Sequence, residues 1–267
     1  MPKYSQIFLK NADVAARIAG LLDSMSFDYL VEIGPGKGVL TRFLLKYAPN
    51  LCLVEIDKNL VEFLNAEFRN AGLKICAADF LEFNPDKELA HCRKPAFIGN
   101  LPYDCATAIL EKTLLFDKFH SAVFMFQKEV GEKITAKTGD SDFGYFSVFC
   151  QTLSIPSKLM EIKASDFLPA PKVDSAALTF EKQESAAGEL NTVEKKREFS
   201  ELVKMAFRHR RKTVLNSLSA SMAAPRPAIE KLLAGAGIDP AARPQNLSVQ
   251  DYLKLFNLYK KSKIVKL

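Results

Sequence analysis

The chain has 267 residues, 48% of them apolar, enough for a full hydrophobic core and too many for global disorder. No apolar run nears the roughly 20 residues that span a bilayer, and residues 1–10 lack a signal peptide's apolar core and cleavage site, so a cytoplasmic protein is expected. The net charge of +6 is uneven: from Gln183 onward there are 16 Lys/Arg against 8 Asp/Glu, while the first 182 residues carry 21 against 23, which points to an anionic partner for the last third.

The cluster Gln6-Ile7-Phe8-Leu9 precedes any regular element. It reads either as a staple on the core or as a lid over a ligand site. Asn11 to Leu22 has apolar residues at a helical period (Val14, Ile18, Leu21, Leu22), with Asn11 or Asp13 as N-cap. Tyr29 to Ile33 is a short buried strand that runs into Gly34-Pro35-Gly36-Lys37-Gly38, and Val39 to Lys46 follows as a helix. Strand, glycine-rich turn and helix open a doubly wound nucleotide-binding sheet. The next strand, Leu51 to Ile56, carries Glu55 at its carboxyl end, 21 residues after Gly34, where an acid can accept both ribose hydroxyls. Asp57 to Phe68 is a helix, Leu73 to Ala77 a third strand followed by Asp79, and Ala96 to Gly99 a fourth that ends in Asn100. Ser121 to Phe126 is a fifth. In a parallel sheet the ends Gly34, Glu55, Asp79 and Asn100 fall on one edge, where ligands bind.

Tyr145 to Ile155, Lys158 to Ile162 and Ser175 to Phe180 are expected to be further strands. The two prolines of Phe167 to Ser175 make a stiff extended loop that would present Phe167 as a stacking face. Gln183 to Asn191 is a polar linker. Val193 to Leu218 reads as one helix on which Arg208, Arg211 and Lys212 share a face. Ile229 to Leu233 and Val249 to Tyr259 add two helices, and the tail from Lys260 to Lys266 is basic. The expected division is therefore 1–182 and 183–267. Five scattered cysteines and three lone histidines make neither a disulfide framework nor a zinc site, so no metal is expected.

The stretch Phe97-Ile98-Gly99-Asn100-Leu101-Pro102-Tyr103 reads either as a strand end capped by an ordinary Asn-x-Pro turn or as a rigid grip on an exocyclic amino group. Asn100 offers an amide that both accepts and donates. Pro102 stiffens the turn. Tyr103 supplies a ring for a nucleobase. Two ligands compete for the glycine turn. The dinucleotide fingerprint wants Gly-x-Gly-x-x-Gly, and Val39 stands at its last position. A carboxylate at Glu32 repels a pyrophosphate and suits an ammonium or sulfonium, which favours S-adenosylmethionine. An adenine N6 amine is a poor nucleophile because its lone pair is delocalised. Acceptance of its two N–H bonds by Asn100 and the Leu101 carbonyl would let it pyramidalise. Stacking on Tyr103 and Phe167 would offset the cost of flipping the base.

In this order Gln6-x-Phe8-Leu9, Glu32-Ile33-Gly34-Pro35-Gly36, Glu55-Ile56-Asp57, Asp79, Gly99-Asn100-Leu101-Pro102-Tyr103, Gln127-Lys128-Glu129 and Phe167-x-Pro169-x-Pro171-Lys172-Val173-Asp174-Ser175 resemble the ribosomal RNA adenine N6,N6-dimethyltransferases over nearly the whole chain. Phe207-x-x-Arg210-Arg211-Lys212-Thr213, Asn216-Ser217-Leu218 and Gly237-Ile238-Asp239-Pro240 with Arg243 look like the small-subunit, kasugamycin-sensitivity branch, not the macrolide-resistance branch.

The resemblance implies an α/β Rossmann-like class I methyltransferase fold, with a seven-stranded mostly parallel sheet and a small helical C-terminal domain. It implies dimethylation of two adjacent adenines in the 3′-terminal hairpin loop of 16S rRNA, in the small subunit or its precursor, by a monomer that turns S-adenosylmethionine into S-adenosylhomocysteine. By the same resemblance Gly34 lies against the cofactor's methionine part, Glu55 holds the ribose and Asp79 binds the adenine amino group. Asn100 sits near the methyl, and Ile7 and Leu9 close the pocket. Glu32, Gly36, Ile56 and Phe80 complete the cofactor contacts. Asn100, Leu101, Tyr103 and Phe167 serve the target base, and Arg208, Arg210, Arg211 and Lys212 the rRNA.

The sequence departs from the family in two places: Ile7 replaces an asparagine, which leaves only a backbone contact there, and Asp104-Cys105-Ala106 replaces Asn-Ile-Ser. The other readings are a non-catalytic RNA-binding assembly factor and, disfavoured by Phe207 to Leu218, a DNA adenine methylase.

Overall fold

The computed structural model describes residues 7–184 and 188–262. Gln6, part of the expected linker and the end of the basic tail lie outside them. Numbered along the chain, the strands are β1 (Phe8–Leu9), β2 (Tyr29–Ile33), β3 (Leu51–Glu55), β4 (Lys74–Ala77), β5 (Pro95–Asn100), β6 (Ser121–Gln127), β7 (Ser154–Ile162), β8 (Phe167–Leu168) and β9 (Ser175–Lys182). The helices are α1 (Ala12–Gly20), α2 (Thr41–Leu44), α3 (Lys58–Glu67), α4 (Pro85–Glu88), α5 (Ala106–Leu115), α6 (Lys128–Thr135), α7 (Tyr145–Leu153), α8 (Val193–Phe207), α9 (Val214–Ser221), α10 (Arg226–Ala236) and α11 (Val249–Lys261).

The chain divides into two compact units, one of residues 1–131 and 156–182, the other of 132–155 and 183–267. The second unit thus begins earlier than expected and takes in a stretch that the sequence reading assigned to the first.

A seven-stranded sheet runs in the order β4-β3-β2-β5-β6-β9-β7. β2 pairs in parallel with β3 and with β5, β3 with β4, and β5 with β6, while β9 is antiparallel to β6. β2 and β3 are buried at every residue, as expected for strands covered on both faces. The chain leaves β2 towards β3 and β4 on one side and returns to β5 on the other. Such a reversal opens a crevice at the carboxyl ends of the strands. Gly99 lets β2 and β5 approach there, since a Cβ on it would lie 2.5 Å from the Ile33 carbonyl oxygen. Phe97, fully buried, packs edge-on against Phe80 (6.1 Å) and Phe116 (6.3 Å), which fixes the turn after β4 to the core.

A second, two-stranded sheet joins segments far apart in sequence. Phe8 pairs with Leu168 and Leu9 with Phe167. The Asp166 carbonyl accepts from Lys10 N (2.8 Å) and Asn11 N (3.3 Å). Asn11 caps α1 through Oδ1, which accepts from Asp13 N and Val14 N, and its Nδ2 donates to Asp166 Oδ1 at 2.8 Å. The cluster at 7–9 is therefore a strap held in place by β8.

In the second unit the expected strand over Tyr145 to Ile155 is helix α7, except for its last two residues. Ser147 Oγ accepts from Gly144 N (3.0 Å) and donates to the Lys133 carbonyl (2.6 Å), so the turn is nucleated at its first residues. The single helix expected over Val193 to Leu218 is broken. α8 stops at Phe207, a turn follows, and Thr213 N-caps α9 by accepting from Asn216 N at 3.3 Å. Stacked rings (Phe207–Tyr252, 5.8 Å) and edge contacts (Phe199–Phe256, 5.6 Å; Phe143–Phe207, 6.4 Å) form this unit's core.

Candidate active site

The carboxyl ends of β2 to β5 surround a cavity of about 350 Å³. Gly34, Glu55, Asp79 and Asn100 all line it, as do Ile7, Leu9, Glu32, Gly36, Ile56, Phe80, Leu101 and Tyr103. Sequence reasoning placed all of these in one site, and the strand order brings them together.

Glu32 and Glu55 make its acidic floor. Glu32 is 1% exposed, and Thr41 Oγ1 donates to its Oε2 at 2.7 Å. Burial pushes the Glu32 carboxyl up to about 8, opposed by the Thr41 hydrogen bond and reinforced by the charge of Glu55. Glu55 Oε2 accepts from Gly36 N (3.1 Å) and its Oε1 from Asp57 N (3.0 Å). Burial raises its carboxyl, while the backbone N–H bonds from Asp57 and Gly36 pull it down. The glycine turn is thus fastened to the end of β3. Gly36 has φ +59°, and a Cβ there would lie 2.8 Å from the Phe8 ring, so only glycine admits the strap this close. Lys37 Nζ sits 5.8 Å from the same ring centre.

On the far side of β3, Asp79 Oδ1 accepts from Leu81 N at 2.8 Å, which closes a tight turn after β4. Ile56 and Leu81 line the cavity although they are 40% and 39% exposed. Exposed apolar side chains in the same lining as Asp79 offer apolar surface to a flat ring.

At the end of β5, Asn100 Nδ2 donates to the Ile7 carbonyl at 2.8 Å. A carbonyl only accepts, so the amide nitrogen must face the strap, and Oδ1 is left as an acceptor. The contact uses the backbone of Ile7, which accounts for a side chain unlike the family's at that position. Tyr103 is half-buried, and its hydroxyl meets Ser175 Oγ at 2.7 Å. Burial lifts the Tyr103 phenol above its ordinary range, with the Ser175 bond opposing.

Phe167 departs from expectation. Its ring is fully buried in the core with Leu9 and Ile162, because its position in β8 turns it inward opposite Leu9. Its neighbour Leu168, 60% exposed, is the residue that faces out. Sequence reasoning also missed Thr41, Ser175, Leu81 and Lys37. Leu81 had a signal, an apolar residue two positions after Asp79, whereas the partners of Glu32 and Tyr103 had none.

The basic stretch of the second unit is a turn, not a helix face. Arg208, Arg211 and Lys212 are exposed. Arg210 is exposed too, but its Nη2 donates to the carbonyls of Ser141 (2.7 Å) and Phe143 (2.9 Å), so its guanidinium braces the loop before α7. Among the described residues no helix is long and apolar enough to cross a membrane.

The family described as ribosomal RNA adenine dimethylase matches this chain over residues 1–261. The ribosomal RNA small subunit methyltransferase A of Malacoplasma penetrans is 35% identical over 261 residues, which are 96% of this chain and 91% of that protein. Among solved structures, a dimethyladenosine transferase from Plasmodium falciparum superposes with a TM-score of 0.80 at 25% identity, covering 96% of this chain and 98% of the other. The 23S rRNA methyltransferase ErmE gives 0.68 at 25% identity, covering 95% and 99%.

Proposed function

Because this chain belongs to the ribosomal RNA adenine dimethylase family, we propose that it transfers methyl groups from S-adenosylmethionine to N6 of two adjacent adenines in the 3′-terminal hairpin loop of 16S rRNA. Its partner would be the small ribosomal subunit or a precursor, and it would act in the cytoplasm as a monomer. The small-subunit assignment is supported by the name of its Malacoplasma relative and by a better superposition on the dimethyladenosine transferase than on ErmE.

The observation that carries the reading is the Asn100 amide, turned by the Ile7 carbonyl so that Oδ1 is an acceptor beside the Tyr103 ring. S-adenosylmethionine, when bound, supplies an electrophilic methyl on a sulfonium. The cavity suits it: Glu55 stands where a ribose would bind, Ile56 and Leu81 offer apolar surface to adenine, and buried Glu32 faces the cationic end. Asn100 Oδ1 and the Leu101 carbonyl then accept the two N–H bonds of the target amine and free its lone pair for in-line attack. Tyr103 holds the flipped base by stacking. Its hydroxyl is committed to Ser175 and its phenol is raised, so it is no base. The proton leaves N6 to solvent water only after positive charge has developed there, and fixed carbonyl dipoles stabilise that charge without a strong base. The monomethylated amine keeps one N–H and turns for the second transfer. Arg208, Arg211 and Lys212, all exposed, would contact the rRNA backbone.

The test is methyl transfer to small subunits from an unmethylated strain, with the modified adenines mapped. Two adjacent dimethyladenines are expected. Subunit binding without transfer would refute the reading in favour of an assembly factor.

A further inference from the structure

Ser175 is fully buried and opens β9, where it lies opposite Gln127 of β6 in antiparallel register. The residue before it is pinned three ways. Asp174 Oδ1 accepts from Ala164 N (2.9 Å), Oδ2 from Lys163 Nζ (3.0 Å), and the carbonyl from Lys128 N (2.9 Å). The Ser175 hydroxyl is therefore a fixed point. Tyr103 is the opposite case, a half-exposed ring at the tip of a loop, free to turn about two side-chain torsions unless something holds its far end. The 2.7 Å bond between the two hydroxyls is what holds it.

We propose that Ser175 is a positioning residue for adenine methylation, its buried hydroxyl setting the tilt of the Tyr103 ring and so the distance of a stacked adenine N6 from Asn100. This rests on the function proposed above and extends it. A base stacked on a ring moves with that ring, and a displacement near 1 Å at the reacting atom costs on the order of a hundredfold in rate. The two transfers depend on the ring unequally. Unmodified N6 presents two N–H bonds, one for Asn100 Oδ1 and one for the Leu101 carbonyl. After one methylation a single N–H remains, one acceptor loses its donor, and stacking on Tyr103 carries more of the orientation. A loosened ring therefore impairs the second transfer more than the first, and N6-monomethyladenine accumulates.

The test is a double-mutant cycle with Ser175→Ala, Tyr103→Phe and the pair, assayed on unmethylated small subunits. It reads kcat, KM, the cofactor Kd and the ratio of mono- to dimethyladenine. Each single variant should lower kcat by roughly fivefold, the worth of one hydrogen bond. Cofactor Kd should stay within about twofold, and the pair should be no worse than either single, because both remove the same bond. The monomethyl fraction should rise in all three.

Losses that multiply in the pair, a wild-type methyl ratio, or a loss confined to cofactor Kd would overturn the proposal. Tyr103→Phe breaks the bond from the exposed side, so it decides the matter by its methyl ratio if Ser175→Ala does not fold. A wild-type protein that transfers nothing would instead refute the proposed function. The positioning role is then read by ring-selective 13C-tyrosine NMR. A Tyr103 signal altered in Ser175→Ala supports it, and an unmoved signal sinks it.

Discussion

Glu32 should make cofactor binding release a proton. Its carboxyl is buried, held by Thr41 Oγ1 and pushed up to about 8. At pH 7 roughly nine in ten molecules thus hold it protonated, and at pH 6 about ninety-nine in a hundred. A cation bound in the cavity favours the ionised form, so binding must first expel the proton. That costs about 1.4 kcal/mol at pH 7 and about 2.7 kcal/mol at pH 6. Affinity should rise nearly tenfold between these values, a range in which the ligand's own ammonium stays protonated. Titration calorimetry in two buffers of different ionisation enthalpy should count about 0.9 proton released per site at pH 7. Glu32→Gln keeps the shape and the Thr41 contact but has nothing to release. Its affinity should be lower at pH 7 and flat with pH. Proton release near zero in the wild type, or the same pH slope in Glu32→Gln, would refute the reasoning.

Unfolding measured without added cofactor should report the same carboxyl. Its folded-state pKa lies above the unfolded value of 4.5. The stability this group contributes is full below that value and is lost as pH rises through about 8. Glu32→Gln should therefore match the wild type in unfolding near pH 4 and surpass it near pH 8.

Three further outcomes follow from the geometry. Asn100→Ala should retain cofactor binding and lose most methyl transfer, while Glu55→Ala should weaken cofactor binding itself, since its carboxylate also fastens the Gly36 turn. Radiolabel transfer and calorimetry separate the two, and normal turnover in Asn100→Ala would remove Asn100 from the mechanism. Gly99→Ala should destabilise the fold by about 2 kcal/mol or more in urea unfolding, because the new Cβ meets the Ile33 carbonyl oxygen at 2.5 Å. Arg210→Ala should lower stability by about 1–3 kcal/mol with little change in the salt dependence of RNA binding. Arg211→Ala should leave stability unchanged and reduce the log–log salt slope by about one.

The sheet was legible because its strands are short apolar runs that each stop at a glycine, an acid or an amide, and in a parallel sheet those stops share an edge. What failed to show depended on tertiary partners. Tyr145 to Leu153 is rich in aromatic and β-favouring residues, yet it is helical, because Ser147 ties its first turn to Gly144 and Lys133 and its side chains are buried on most sides. The break after Phe207 did carry a sign, Thr213 as an N-cap, but the run of helix formers around it masked the signal. Phe167 has the right residue type for stacking and the wrong direction. Alternation along a strand, set by pairing with Leu9, decides which way a side chain points.

The same dependence on distant partners bears on the proposal that the Asn100–Tyr103 loop works without a strong base. Four short residues cannot orient themselves, and both functional side chains are fixed from far away, Asn100 by a carbonyl 93 positions earlier in the chain and Tyr103 by a hydroxyl 72 positions later. The strap that holds Asn100 is paired to β8, seven residues before the serine that holds Tyr103. One side of the site therefore clamps both ends of the loop. The ordering cost of a mobile loop is met during folding, before any substrate arrives, so little of it remains to be drawn from binding energy. On the proposed function, cutting a clamp should cost more turnover than cofactor affinity, because Glu32, Glu55 and Asp79 stand on β2, β3 and the turn after β4, although Ile7 and Leu9 of the strap also line the cavity.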